Sequence, residues 1–234
     1  MQYFFSNDKT NDKIVLPREE SKHCVLVLRY KIGDIIYVAN GKGTEFTCEI
    51  IDTKNSLVEL KVVDKKEKVG KVDYYIHIVI APTKSNHRFE WFIEKAVEIG
   101  VDEISFIECS NSERKKINID RVNKIALTAM KQSLKTYLPK INNIDKFSNV
   151  ISKTTQQNKY IGYLGDCSTE FLSHLAPQQS SYCLFIGPEG DFTNEEIETA
   201  VNYGFNSVLL SKSRLRTETA GVMGCMILNG TNHE

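Results

Sequence analysis

Two short stretches near the carboxyl-terminal end carry the residue types that could do chemistry: Gly187-Pro188-Glu189-Gly190-Asp191 and Ser211 to Ala220. Each follows an apolar run, Tyr182 to Ile186 and Ser207 to Leu210, and each leads into a helix-like segment. The unit therefore reads strand, loop, helix, strand, loop, helix. Two loops at the carboxyl ends of neighbouring strands make a cleft, which is where open α/β sheets bind ligands. In the first loop the glycines permit close approach of backbone to a ligand, and Pro188 fixes one φ and removes a donor. Thr193 then caps the next helix, Glu196 three residues on completes a capping box, and Gly204 stops the helix. Free amides at a helix start attract anions. Here, however, there is no Lys-Ser/Thr of a P-loop, and Glu189, Asp191 and Glu195 crowd the turn. A nucleotide phosphate would be repelled, and a neutral or cationic ligand fits better.

The second loop gathers Arg214, Arg216, Glu218 and, beside Ser211, the hydroxyls of Ser213, Thr217 and Thr219 into ten residues. Its plainest reading is a helix start with Thr217 as cap and an exposed charge pair. Taken together, the two loops are far more specific than either alone. They stand as IGPEGDFT (Ile186 to Thr193) and LSKSRLRTETA (Leu210 to Ala220). In this form they resemble the SPOUT class of RNA methyltransferases and, within it, the RsmE-type 16S ribosomal RNA uracil-N3 methyltransferases, whose signatures run I-G-P-E-G-G-F-S and L-G-x-R-I-L-R-T-E-T-A. The departures are Asp191 and Ser211 for glycines, Ser213 for arginine and Arg214 for isoleucine. Asp191 and Ser211 place a side chain where the family pattern leaves backbone bare, so the expectation is adjusted loop geometry with function kept.

The resemblance implies an α/β fold in two parts: a small PUA-like β-barrel over residues 1–70 that helps hold RNA, and a SPOUT methyltransferase domain over 71–234 with a parallel sheet tied in a trefoil knot. Nothing in spacing or periodicity shows a knot. It further implies S-adenosylmethionine as cofactor, 16S ribosomal RNA or the assembled small subunit as partner, and a homodimer with its sites near the subunit interface. Carried onto this sequence, the cofactor-binding positions are Leu164, Gly165, Ile186, Gly187, Glu189, Gly190, Leu210, Ser211 and Leu215. Methylating uracil at N3 requires removal of a weakly acidic proton and stabilisation of charge on two carbonyl oxygens. Arg216 is the candidate for the oxygens or a flanking phosphate, Glu218 for the proton acceptor, and Thr217 for orienting either. Two rivals remain: a transferase acting on another RNA, and a non-catalytic assembly factor that tolerates a degraded cofactor loop.

Composition sets the bounds within which these loops work. At 234 residues the chain can hold one large or two modest domains, and 41% hydrophobic with 26% charged residues is ordinary for a globular protein. No stretch approaches a membrane span, and the first residues lack the order of a signal peptide, so the cytoplasm is the expected location. Six cysteines are scattered singly, without a CxxC or HExxH pattern, which points to reduced, mostly buried thiols and to no metal site. The net charge is zero, yet the 13 basic and 10 acidic residues of 71–150 contrast with 5 and 9 in 151–234. A positive patch thus survives global neutrality.

The elements that must position the loops follow from periodicity. In the first part Pro17 opens a short helix through Arg29, and IIYVAN, EFTCEII and SLVELKVV read as strands joined by Gly or Asn-Ser turns. Val58, Leu60 and Val62 alternate with Glu59 and Lys61, marking a half-exposed face. Arg18, His23, Arg29 and Lys42 are the RNA candidates there, and KKEKVGK (65–71) is the expected linker. Tyr74 to Ala81 is a buried strand, Phe89, Phe92, Ile93, Ala96 and Val97 mark a helix ending at Gly100, and Ile104 to Glu108 is the next strand. The segment KSNHRFEWFIEKAVEIGV also resembles a family signature, with Lys84, Arg88, Glu90, Trp91, Lys95, Glu98, Gly100 and Val101 in place, which makes Lys84 and Arg88 RNA candidates. Arg121 to Lys135 reads as a helix with Val122, Ala126, Ala129 and Met130 on one side. Arg121, Lys124, Lys131 and Lys135 form a stripe without an interleaved acid on the other, suited to RNA phosphates. Gln132, Ser133 and Pro139 match a family pattern in which Lys135 replaces arginine. Residues 141–158 give no element, 160–165 read as a strand ending in glycine, and Thr219 to Leu228 is the final helix.

Overall fold

The computed structural model describes residues 2–7, 12–54, 57–165 and 170–233. The expected Asn55-Ser56 turn and Cys167 lie outside the described residues. The chain forms two compact units, the first made of residues 1–71 with Leu127–Leu138 and the second of Val72–Ala126 with Pro139–Glu234.

In the first unit β1 (Tyr3–Phe5), β2 (Lys13–Val15), β3 (Ile35–Ala39), β4 (Glu45–Asp52) and β5 (Glu59–Lys66) form a curled sheet in the order β1-β3-β4-β5-β2. Only the β1–β3 pair is parallel. Val58 and Leu60 are fully buried while Glu59 and Lys61 face water, as the alternation requires. Phe4, Ile14, Leu16, Cys24, Ile36, Val38 and Ile50 complete this core. Pro17 is the cap before α1 (Arg18–Lys22), not its first residue, and the helix widens into a π-helical turn over His23–Val27. It stops before Arg29, which takes a left-handed φ of 61°. β5 also runs further than the composition suggests, taking in Lys65 and Lys66 of the expected linker.

The second unit is built on seven parallel strands in the order β10-β12-β9-β11-β6-β7-β8. They are β6 (Tyr75–Ile80), β7 (Glu103–Glu108), β8 (Lys140–Lys146), β9 (Asn158–Gly162), β10 (Glu170–Phe171), β11 (Ser181–Ile186) and β12 (Asn206–Leu209). The helices are α2 (Asn86–Ile99), α3 (Ile119–Gln132), of which the part from Leu127 onward belongs to the first unit, α4 (Phe147–Lys153), α5 (Leu172–Leu175), α6 (Asn194–Asn202) and α7 (Thr217–Gly230). The apolar positions expected of α2 are its buried ones. Val79, Ile107, Phe147, Phe185, Phe192, Ile197 and Phe205 meet in one core. β8 and α4 occupy the stretch that gave no element. β8 is an edge strand of sequence KINNIDK without a clean alternation, so its pairing to β7 rather than its own pattern makes it a strand.

The chain leaving β12 returns across the sheet, because α7 lies against α2, β6 and β11. Close approach is possible because Gly221 has no side chain: a Cβ there would stand 2.6 Å from the Phe92 ring and 2.9 Å from Ile80 Cδ1.

A polar network closes the other end of β6, β7 and β8. The buried Glu103 carboxylate accepts from Tyr75 Oη and Lys140 Nζ, both at 2.7 Å, and from Asn142 Nδ2 at 2.5 Å. Burial by itself would raise this carboxyl, but the donors and the nearby His77 outweigh it and hold the pKa at about 2, below the ordinary 4.5. A depressed folded-state pKa stabilises the fold above the unfolded value, and that contribution is lost as pH falls through the folded one. Urea unfolding between pH 4.5 and 2 should show the parent losing stability more steeply than Glu103→Gln. Parallel acid limbs would mean that Glu103 contributes nothing to acid sensitivity.

Candidate functional site

β12, β9 and β11 are neighbours, and the three loops that leave their carboxyl ends converge. They enclose a cavity of about 470 Å³, within the range of about 300–1,000 Å³ usual for small-molecule sites. The β9 loop contributes Gly162, Tyr163 and Leu164. The β11 loop contributes Ile186, Gly187, Pro188, Glu189 and Asp191, and the last loop and the start of α7 contribute Leu209 to Ser211 and Ser213 to Glu218.

The β11 loop is held from three sides. Thr193 caps α6 in a full capping box: its Oγ1 accepts from the Glu196 amide at 3.3 Å, and its amide donates to Glu196 Oε2 at 2.9 Å. The same buried carboxylate accepts, through Oε1, from the Ser110 amide at 2.8 Å and from Ser110 Oγ at 3.1 Å. Asn111 Nδ2 donates to the carbonyls of Gly190 and Asp191 at 3.1 and 3.0 Å. At the far end of α6, Gly204 takes a φ of 81°, which lets the helix stop and turn into β12. Asp191 itself has a φ of 62°. Aspartate is one of the few non-glycine residues that visit this region, because its side chain bonds locally. Here Oδ1 accepts from the Phe192 amide at 2.9 Å. The loop thus keeps a glycine-like backbone with a carboxylate added, which is how the first departure from the family pattern is accommodated.

In the last loop Arg216 occupies the cap position of α7 without a side-chain cap bond, and Thr217 is the first helical residue, buried. This corrects the reading of Thr217 as cap. The pair expected on the surface is also different. Glu218 is buried, with 9% of its side chain exposed, and its ion partner is Arg88 of α2 at 3.6 Å. Arg88, expected at RNA, therefore stands in the same cavity. Burial raises the Asp191 carboxyl above its ordinary value, against the hydrogen bond from Phe192 and the positive charge of Arg214.

Among the expected cofactor positions, Leu164, Ile186, Gly187, Glu189, Leu210, Ser211 and Leu215 line the cavity, together with Arg216, Thr217 and Glu218. Gly165 and Gly190 do not. Gly165 sits beneath the Tyr163 ring and Gly190 against Asn111. Tyr163, Asp191, Arg214 and Arg88 are among the lining residues that sequence reasoning left out of the cofactor site. Their signal was available, since Asp191 and Arg214 lie within the two loop signatures, Arg88 lies in a third, and Tyr163 stands next to Leu164. Glu189, exposed, accepts from the Lys84 amide at 2.9 Å, while Lys84 Nζ pairs with Glu113 at 2.8 Å.

The cationic stripe of α3 is less bare than its own sequence suggests. Arg121 makes a two-pronged pair with Glu90 of α2, with Nη2 to Oε2 at 2.8 Å, and Lys131 pairs with Glu20 of α1. Lys124 is engaged as well, and so is Lys135, which falls outside the helix: α3 ends at Gln132 and not at Lys135 as expected, with Leu134 at a left-handed φ of 55°. Arg121 and Lys124 fall in the second unit, and Lys131 and Lys135 in the first. Arg18, Arg29 and Lys42 are exposed in the first unit.

A model of the RNA methyltransferase domain matches residues 71–229, and one of the RNA methyltransferase PUA domain matches 16–63. The chain belongs to the RNA methyltransferase family. Among solved RNA methyltransferase structures it is similar to a probable rRNA-methyltransferase from Porphyromonas gingivalis, 36% identical with a TM-score of 0.92, covering 99% of this chain and 98% of that one. A ribosomal RNA small subunit methyltransferase E from Neisseria gonorrhoeae, bound to S-adenosyl methionine, shares the fold at 22% identity and a TM-score of 0.90, covering 99% and 98%. The curated ribosomal RNA small subunit methyltransferase E of Buchnera aphidicola is 29% identical over 96% of this chain and 91% of its own length. The family resemblance carried by the two loop signatures is thereby borne out, as is the mixed α/β fold with a PUA domain before a parallel-sheet methyltransferase domain.

Because Glu196 joins Ser110 to the start of α6, removing it leaves the Ser110 and Thr193 amides without their acceptor. Glu196→Ala is expected to lower unfolding stability by about 1 kcal/mol or more, with Glu196→Gln keeping most of it. A chemical denaturation series measures both, and equal stability of the alanine variant and the parent would show that the loop is held by other means.

Proposed function

We propose that this chain transfers a methyl group from S-adenosylmethionine to N3 of a uridine in 16S ribosomal RNA of the small subunit. The observation that carries the reading is the convergence of the two signature loops on one cavity that also holds Arg216, Thr217 and Glu218. The names of the relatives and the S-adenosyl methionine in the Neisseria gonorrhoeae structure support it.

The cavity suits that cofactor. Ile186, Leu209, Leu210 and Leu215 offer apolar surface to a flat heterocycle. Gly187 lines the cavity and packs against the Phe192 ring, which a Cβ there would approach to 3.1 Å. Glu189, Asp191 and Glu218 give the walls acidic points among the cations Arg88, Arg214 and Arg216. When bound, the cofactor supplies an electrophilic methyl on sulfonium.

The protein's part is to bring the uracil in line and manage its proton. Orientation of two reactants converts an encounter into a local event and supplies much of the rate. Arg216, exposed at the rim, is placed to hold the uracil oxygens as negative charge develops on them. Glu218 accepts the N3 proton, oriented by its contact with Arg88. Thr217, buried at the first turn of α7, fixes the direction in which Glu218 leaves the helix.

The division of the chain near residue 70 assigns RNA holding to the first part. Arg18, Arg29, Lys42, Lys84, Arg121, Lys124, Lys131 and Lys135 are the proposed phosphate contacts, each adding to salt sensitivity. Homodimerisation and a cytoplasmic location belong to the same reading. No described helix is long and apolar enough to cross a membrane.

The test is incubation with methyl-labelled cofactor and either small-subunit RNA or small subunits lacking the modification, followed by nucleoside digestion and mass spectrometry. Labelled N3-methyluridine is expected, and label on another base, or none on either substrate, would refute the assignment. Arg216→Ala should lower turnover by at least ~10²-fold with cofactor affinity within a few-fold of the parent by titration calorimetry. Unchanged turnover would remove Arg216 from the chemistry.

A further inference from the structure

The cavity walls carry three carboxylates, and two of them are tied to other elements of the chain. Glu189 accepts from the Lys84 amide, and Glu218 faces Arg88. Asp191 is placed differently. Its Oδ1 is bound to the next amide in its own turn, at 2.9 Å, and its other carboxylate oxygen has no hydrogen-bond partner among the described residues. The turn cannot swing this acid away from the cavity, because Asn111 grips the carbonyls of Gly190 and Asp191. Arg214, across the cavity on the other loop, acts on it through space without forming an ion pair. A fixed anion on the wall, half withdrawn from water, reads the charge of whatever lies beside it.

We propose that Asp191 is the charge-selecting residue of the cofactor site, its carboxylate favouring the sulfonium of S-adenosylmethionine over the neutral thioether of S-adenosylhomocysteine. This rests on the reading of the cavity as a cofactor site. In the transfer a bond forms between N3 and the methyl carbon while the carbon–sulfur bond breaks. Its electron pair stays on sulfur, the N3 proton leaves to the acceptor, and the cofactor loses one positive charge. Apart from the transferred methyl, reactant and product cofactors share every group, so an anion in the wall distinguishes them by that charge. The consequence is a site that holds reactant more firmly than product and releases product after each turnover. In the family pattern a glycine stands at this position, so the selectivity is a property of this chain.

The experiment is titration calorimetry of the parent, Asp191→Asn and Asp191→Gly with S-adenosylmethionine and S-adenosylhomocysteine separately, at low and at raised salt. The asparagine keeps the local acceptor and the tolerated backbone conformation while removing the charge. Both variants are expected to bind S-adenosylmethionine roughly five-fold more weakly and S-adenosylhomocysteine within two-fold of the parent, with the difference shrinking as salt rises. Equal weakening of both ligands would mean that Asp191 only shapes the loop or accepts from a hydroxyl, and would overturn the proposal. An unchanged ratio of affinities in Asp191→Asn would do the same. If the parent binds neither ligand, with or without RNA, the cofactor reading itself falls, an outcome distinct from either of these.

Discussion

The site depends on three parallel strands, β9, β11 and β12, lying side by side at one part of the sheet. Parallel neighbours deliver their loops to the same end, so three segments remote in sequence meet without long excursions. Each loop then needs only local devices to hold its shape: a capping box after β11, a carboxylate gripping Ser110, and a helix start at Arg216. The strand order has a second effect. β12 lies outside β9, so the chain must come back over the sheet to seat α7 on α2 and β6, and this return carries Glu218 to Arg88.

Much of this was legible in the residues. The α2 stripe, the capping box at Thr193, the glycine stop at 204 and the buried strands are local patterns, and local patterns survive folding when tertiary packing agrees with them. What was not legible depended on partners. β8 is a strand because β7 pairs with it, and its polar sequence gave no hint. The cap of α7 moved from Thr217 to Arg216, since a threonine at a helix start can serve equally well as a buried first residue. Gly165 and Gly190 fell outside the cavity because a glycine in a loop marks a close contact without saying with what. In both cases the contact is with a side chain of the protein, Tyr163 and Asn111.

Charge shows the same divide between sequence and space. The stripe on α3 has no acid on its own face, yet Glu90 from α2 and Glu20 from α1 reach two of its cations. Counting along a helix registers the charges it carries and misses those it meets. In the cavity the reverse holds. Three acids crowd the turn after β11 in the sequence, and Glu195, the one that belongs to the start of α6, is exposed outside the lining, while Glu189 and Asp191 remain at the wall.

The first unit is discontinuous, for Leu127–Leu138 belongs to it as much as residues 1–71 do. Within it the Thr136 hydroxyl donates to the Val69 carbonyl, the Gly43 amide donates to the Thr136 carbonyl at 3.0 Å, and Lys131 meets Glu20. During synthesis these contacts are missing until residue 138 has left the ribosome, long after the strands of the amino-terminal sheet have emerged. The amino-terminal part therefore waits, incomplete, while Val72–Ala126, about a third of the second unit, is translated, and a fragment cut at the apparent linker would be born without a piece of its own fold.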